Sequence, residues 1–65
     1  MPVIQITMGK TSKEQKKELI ERISADAIAI TKIPASEFTV LITELDGDSI
    51  GRGGRTLTDI RAEQR

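Results

Sequence analysis

The chain has no cysteine, no histidine, no tryptophan and no tyrosine, and Phe38 is its single aromatic residue. Without cysteine there is no disulfide to staple the fold and no thiolate for a zinc site. Without histidine, imidazole acid–base work and the familiar nucleophilic triads are excluded, and Ser12, Ser24, Ser36 and Ser49 have no evident activating base. A lone aromatic provides no stacking platform for single-stranded nucleic acid. Ten basic residues against ten acidic ones leave no net field to draw in nucleic acid or lipid. No apolar run approaches the ~20 residues of a membrane span, and no signal-like apolar stretch precedes the first strand. A cytoplasmic location without nucleic-acid or membrane partners is therefore expected. No metal or other cofactor is expected: Glu44, Asp46 and Asp48 form the one local acidic cluster, and acids beside Gly47 read as a solvated turn.

Length sets the next constraint. The 65 residues form one domain, residues 1–65, and a chain of this size buries only about 60% of the surface it exposes when unfolded. Small domains rely on a disulfide, a metal or a partner subunit. With no disulfide available and no metal expected, self-association is the expected source of stability.

The chain opens with Met1-Pro2-Val3-Ile4-Gln5-Ile6-Thr7-Met8. Ile4, Ile6 and Met8 alternate with Val3, Gln5 and Thr7, the period of a strand, and proline is tolerated at a strand's first residue because it need not donate there. Gly9-Lys10 breaks the strand. Thr11 and Ser12 are good N-caps, with Glu14 and Gln15 each three positions on, so either pair closes a capping box. From about Ser12 the period becomes helical, with Leu19, Ile20, Ile23, Ala27 and Ile30 on one stripe and Lys13, Lys17, Glu21 and Arg22 opposite. Glu14 with Lys17 and Glu18 with Arg22 have the favourable acid-first order. The helix should end near Thr31 or Lys32, because Ile33 precedes Pro34.

A second strand is expected over Glu37–Leu45, rich in β-branched residues and nearly continuously apolar at its centre, as in a strand covered on both faces. Strand, long helix and strand make a βαβ unit with parallel strands. Two strands do not make an independently stable sheet, so strands of another chain must complete it. The fold class is α+β: a single βαβ unit with a C-terminal hairpin or tail and a sheet finished by oligomerisation. Behind Leu45 the composition turns to Asp46-Gly47-Asp48-Ser49 and Ile50-Gly51-Arg52-Gly53-Gly54-Arg55. The glycine-rich piece lacks the Walker spacing and reads as a hairpin that packs on a neighbouring subunit or frames an anion pocket with Arg52 or Arg55. The tail Thr56–Arg65 should form a short strand or a helical turn.

Pro2 is the residue with distinctive chemistry. If Met1 is removed, its nitrogen becomes a secondary amine on a rigid ring. A free α-amino group titrates near ~7.7–8.0, and an apolar pocket or nearby cations lower that value. A base poised there suits proton abstraction beside a carbonyl. If Met1 stays, Pro2 is an amide and only starts a strand.

Pro2-Val3-Ile4-Gln5-Ile6, Ser12-Lys13-Glu14-Gln15-Lys16, Leu19-Ile20, Leu41-Ile42-Thr43-Glu44 and Gly51-Arg52-Gly53-Gly54, in this order and spacing, resemble the 4-oxalocrotonate tautomerase family over nearly the whole chain. The resemblance implies protomers whose dimers share a four-stranded sheet, commonly assembled as a hexamer. It implies that Pro2 is a general acid–base group moving a proton between oxygen and carbon of a small carboxylate-bearing enol. The family's substrate-carboxylate arginine before the helix falls at Thr11, with Lys10 beside it; its second arginine falls at Thr39; its pocket aromatic falls at Ile50. The expected site is therefore Pro2 with Lys10, Thr11, Thr39, Ile50 and Arg52, the first-strand apolar face lining the pocket, and Arg52, Arg55 or Arg61 of a neighbour replacing the arginines. Hydration of an unsaturated acid, or a non-catalytic oligomeric binding module, are the alternative readings. Intact mass of natively produced protein should lack the initiator methionine; a chain that retains it has an acylated Pro2 and no amine base.

Overall fold

The structure, a computed structural model, describes residues 2–64. Met1, on which the state of the Pro2 nitrogen turns, lies outside the described residues. Strand β1 (Val3–Met8) leads into helix α1 (Lys13–Thr31), and strand β2 (Thr39–Glu44) returns parallel to β1. The register pairs Val3 with Thr39, Gln5 with Leu41 and Met8 with Glu44. A 3-10 turn (Gly47–Ser49) then precedes the hairpin β3 (Gly51–Arg52) and β4 (Arg55–Thr56), and helix α2 (Leu57–Glu63) closes the chain. The βαβ core and its parallel pairing agree with the sequence reading. The tail supplies both of its alternatives, a short strand and a short helix.

Local chemistry fixes the boundaries. Of the two possible capping boxes, Ser12 with Gln15 forms: Ser12 Oγ accepts from the Gln15 N–H at 3.1 Å, and Gln15 Oε1 accepts from the Ser12 N–H at 3.2 Å. At the other end Lys32 takes a left-handed conformation (φ 62°), and its N–H reaches Ile28 O at 2.9 Å. Strand β2 starts two positions later than the expected Glu37. After Pro34 the N–H groups of Glu37 and Phe38 turn back to Pro34 O and Ala35 O at 2.9 and 3.1 Å, so neither is free for the ladder. Gly53 and Gly54 (φ 63° and 80°) make the two-residue hairpin turn that needs positive φ at both places. Gly47 is required for another reason: a Cβ there would lie 2.8 Å from Thr58 Oγ1.

Helix α1 covers one face of the strand pair. Ile4, Ile6, Met8, Val40, Ile42 and Glu44 are half-buried, while Val3, Gln5, Leu41 and Thr43 face outward and exposed. The helix turns Lys16, Leu19, Ile23, Ala27 and Ile28 inward. Ile20 and Ile30, expected on that stripe, are exposed, Ile30 by 81%. The two sit at the edge of the stripe, beyond the width that two strands can cover. Among the described residues Leu57 alone is buried, at 8% exposure, and its N–H bonds Ile50 O at 2.9 Å.

The shape states the same problem. The radius of gyration is 15.6 Å, against about 11 Å for a compact 65-residue domain. Exposed surface is 5161 Å², roughly a quarter above the ~4,100 Å² of a compact monomer of this mass. Both strand edges and the outer face of the sheet stand ready for other chains.

Two substitutions test the helix ends. Ser12→Ala should lower stability by about 1 kcal/mol, and Lys32→Gly, relieving a left-handed lysine, should raise it by roughly 0.5–1 kcal/mol. Denaturant titrations at fixed protein concentration read both; equal midpoints for wild type and Ser12→Ala would contradict the cap.

Candidate active site

Pro2 lies immediately before β1, half-buried, with its carbonyl accepting the Thr39 N–H at 3.1 Å. The ring has no N–H to offer, so the ladder begins at Val3 and leaves the proline nitrogen out of the sheet's hydrogen bonding. Pro2 and Thr39, two of the expected site residues, are thus neighbours at one end of the strand pair.

Lys10 and Thr11 lie at the other end. The six residues of β1 rise about 20 Å between them and Pro2. There Leu45 N–H bonds Met8 O at 2.9 Å, closing the ladder, and Ile50 and Arg52 follow from that same end. Within one protomer the structure therefore brings Pro2 together with Thr39, and does not bring it together with Lys10, Thr11, Ile50 or Arg52. Within the protomer α1 packs over the apolar face of β1, and Met8 at the end of that face reaches a cleft. That cleft, about 310 Å³, opens between Met8, Thr11, Gln15, Glu18, Leu19 and Arg22.

The far end is organised by Glu44, which the sequence placed in the second strand and in an acidic cluster without giving it a partner. Its carboxylate accepts the Thr11 N–H at 2.8 Å and the Lys16 ammonium at 2.8 Å. This ties the loop before α1 to the end of β2. The Lys16 contact first, then the Thr11 N–H, hold the Glu44 carboxyl below the usual carboxylate value. The signal was present: Glu44 continues the inward set Val40, Ile42, and an acid there needs a cation from the helix, which Lys16 supplies one turn after the cap. The other acids are engaged as well. Asp46 holds Lys10 at 2.9 Å, which raises the lysine's pKa, and Asp48 accepts from Thr58 Oγ1 at 2.5 Å. Among the described residues no three such groups converge as a metal site would need.

In the C-terminal part Arg55 forms a two-pronged pair with Glu63, at 2.7 and 2.6 Å, which raises the guanidinium pKa. Arg22 pairs with Glu18 at 2.6 Å along α1, the expected i, i+4 contact. Arg61 lines a second cleft of about 350 Å³ with Gly47, Thr58 and Ala62. Among the described residues no helix is long and apolar enough to cross a membrane.

Comparison with known proteins gives a consistent result. The family model described as Tautomerase enzyme matches residues 2–60. A Helicobacter pylori protein named "Probable tautomerase" is 31% identical over 65 residues, covering 94% of this chain and 96% of its own length. Among solved structures, TomN, a 4-oxalocrotonate tautomerase homologue of the tomaymycin biosynthetic pathway, superposes with a TM-score of 0.92 at 25% identity, over 98% of this chain and 100% of that one. A heterohexamer 4-oxalocrotonate tautomerase from Chloroflexus aurantiacus J-10-fl has a TM-score of 0.84 at 34% identity, over 94% of this chain and 100% of that one.

The Glu44 network has a defined pH signature. Because the folded carboxyl titrates below its ordinary 4.5, its stabilisation is complete above the unfolded value and is lost as pH falls through the folded one. Glu44→Gln should therefore be less stable than wild type by a constant margin from about pH 7 to pH 5, and the margin should shrink below about pH 4. A margin unchanged at acid pH would mean that the carboxylate's charge is not what matters.

Proposed function

The chain belongs to the tautomerase family, and from that premise we propose that it is an isomerase that moves a proton within a small enol or unsaturated 2-oxo acid, with Pro2, freed of Met1, as the acid–base group. The observation that carries this reading is the way Pro2 is held. Its carbonyl is fixed by the Thr39 N–H at 3.1 Å while its nitrogen takes no part in the ladder. A secondary amine in that position is rigid and half-desolvated, and nothing in the sheet uses its lone pair.

In the reaction the neutral amine takes the enol hydroxyl proton. The oxygen lone pair closes the carbonyl as the carbon–carbon double bond shifts, and the distal carbon receives a proton from the prolyl ammonium. Nothing is gained or lost, so no cofactor is called for. Partial burial of the ring favours the neutral amine, the form that starts the cycle.

The site is proposed to form between copies. A carboxylate held by Lys10 or Thr11 is about 20 Å from Pro2 of the same chain, a distance no small acid spans, and Arg52 follows from that same far end. A neighbouring copy, running its strand in the opposite sense, brings its far end to this protomer's Pro2. Dimers that join their sheets, or a hexamer of such dimers, satisfy this requirement and the exposed sheet face together. Thr11 and Thr39 then contribute hydroxyls where relatives of the resemblance carry guanidinium groups, and Ile50 contributes an apolar wall.

Processed protein should convert a 2-hydroxydienoate to its keto form, with a rate that rises with pH as the amine loses its proton. Pro2→Ala should lose about a hundredfold or more in kcat, the range of a general base. Wild-type and variant rates both equal to buffer would favour the binding module instead.

A further inference from the structure

The chain's ion pairs sort its cations. Lys10, Lys16, Arg22 and Arg55 each hold a carboxylate. Among the described residues, Arg52 and Arg61 are the arginines with no such partner.

Arg52 stands directly across the hairpin from Arg55. Like charges opposite one another on a ladder repel, and Glu63 relieves this by taking both prongs of Arg55. Arg55 is thereby spent on structure, and the repulsion no longer prevents Arg52 from sitting there with its fork open. The two-glycine turn at Gly53 and Gly54 fixes the hairpin, so Arg52 projects from an ordered strand. Ile50 is extended (φ −116°, ψ 126°) and Gly51 begins β3, so Ile50 and Arg52, two apart along extended chain, project to the same side. An apolar wall and a free guanidinium are thus presented together. Arg61 lacks this company: it shares its cleft with Thr58, whose hydroxyl is bonded to Asp48, an acid that would oppose an anion there.

We propose that Arg52 of a neighbouring copy anchors the substrate carboxylate opposite Pro2, and that the substrate is a monocarboxylate whose apolar remainder lies on Ile50. This rests on the tautomerase reading. Among the expected site residues Lys10 is held by Asp46 and residues 11 and 39 are threonines, so Arg52 is the one open cation of that set and serves one carboxylate. A planar fork grips a carboxylate with two parallel hydrogen bonds, which also fixes the direction of the enol relative to the base.

The test uses processed protein, a 2-hydroxydienoate with one carboxylate, its methyl ester, and the unreactive acid crotonate as a binding probe. Arg52→Ala should lower kcat/KM for the acid by about ten- to a hundredfold and weaken crotonate binding by a similar factor. Ester turnover should be unchanged, which also reports an intact fold. Arg52→Lys should recover part of the loss, restoring charge without the fork, and Arg61→Ala should match wild type. A second carboxylate on the dienoate should bring no gain in kcat/KM. Acid turnover and crotonate binding that are equal in Arg52→Ala and wild type would overturn the anchor, as would an equal loss on acid and ester. Crotonate binding that depends on Arg52 in a protein with no turnover of either compound would keep the anchor and remove the tautomerase reading.

Discussion

Everything in this molecule depends on a sheet of two strands covered on one side only. Helix α1 shields Ile4, Ile6, Val40 and Ile42, but Val3, Leu41 and most of Ile30 remain largely exposed, and among the described residues Leu57 alone is buried. At about 25 cal/mol for each Å² of apolar surface removed from water, so little burial does not offset the entropy of ordering the backbone. The protomer is one piece of a larger object. Its long axis of 46 Å against 15 Å across its thinnest dimension is the shape of a piece rather than of a self-contained domain.

The same geometry divides the chemistry. A strand pair has two ends, and Pro2 lies at one while Lys10, Lys16, Arg52 and Arg55 belong to the other. The far end is largely neutralised from within: Glu44 holds Lys16 and the Thr11 N–H, and Asp46 holds Lys10. These contacts are better understood as fasteners that seat the loop before α1 on the end of β2 than as receptors for a ligand. In the hairpin a glutamate satisfies Arg55 and leaves Arg52 open. The cations that fasten the fold and the one proposed to hold substrate are thus different members of the same charge set.

Much of this was legible in the sequence. The change of period from two to 3.6 near Ser12 placed β1 and α1, Pro34 placed the end of the helix, and the β-branched run placed β2, because each signal is local and strong. The choice of Gln15 over Glu14 in the capping box was not, since it depends on which hydroxyl becomes the cap. The 3-10 turn after Pro34 was missed because its hydrogen bonds compete with the ladder for Glu37 and Phe38. Ile20 and Ile30 were assigned to the core because a helical stripe says which residues share a face, not how wide a surface awaits them. Of the site, Pro2 stood out by its chemistry alone. The remoteness of Lys10 from Pro2 followed from the length of β1, yet a list of residues conceals a distance that only the extended strand makes plain. Glu44 was overlooked because its partner lies 28 positions away.

The central claim is that the fold and the assembly are one event. Sedimentation and far-ultraviolet circular dichroism followed together on dilution test it directly. The account predicts that helix signal and oligomer mass are lost together, with no folded species of 7.1 kDa at any concentration. A monomer that keeps its full helix signal would contradict it.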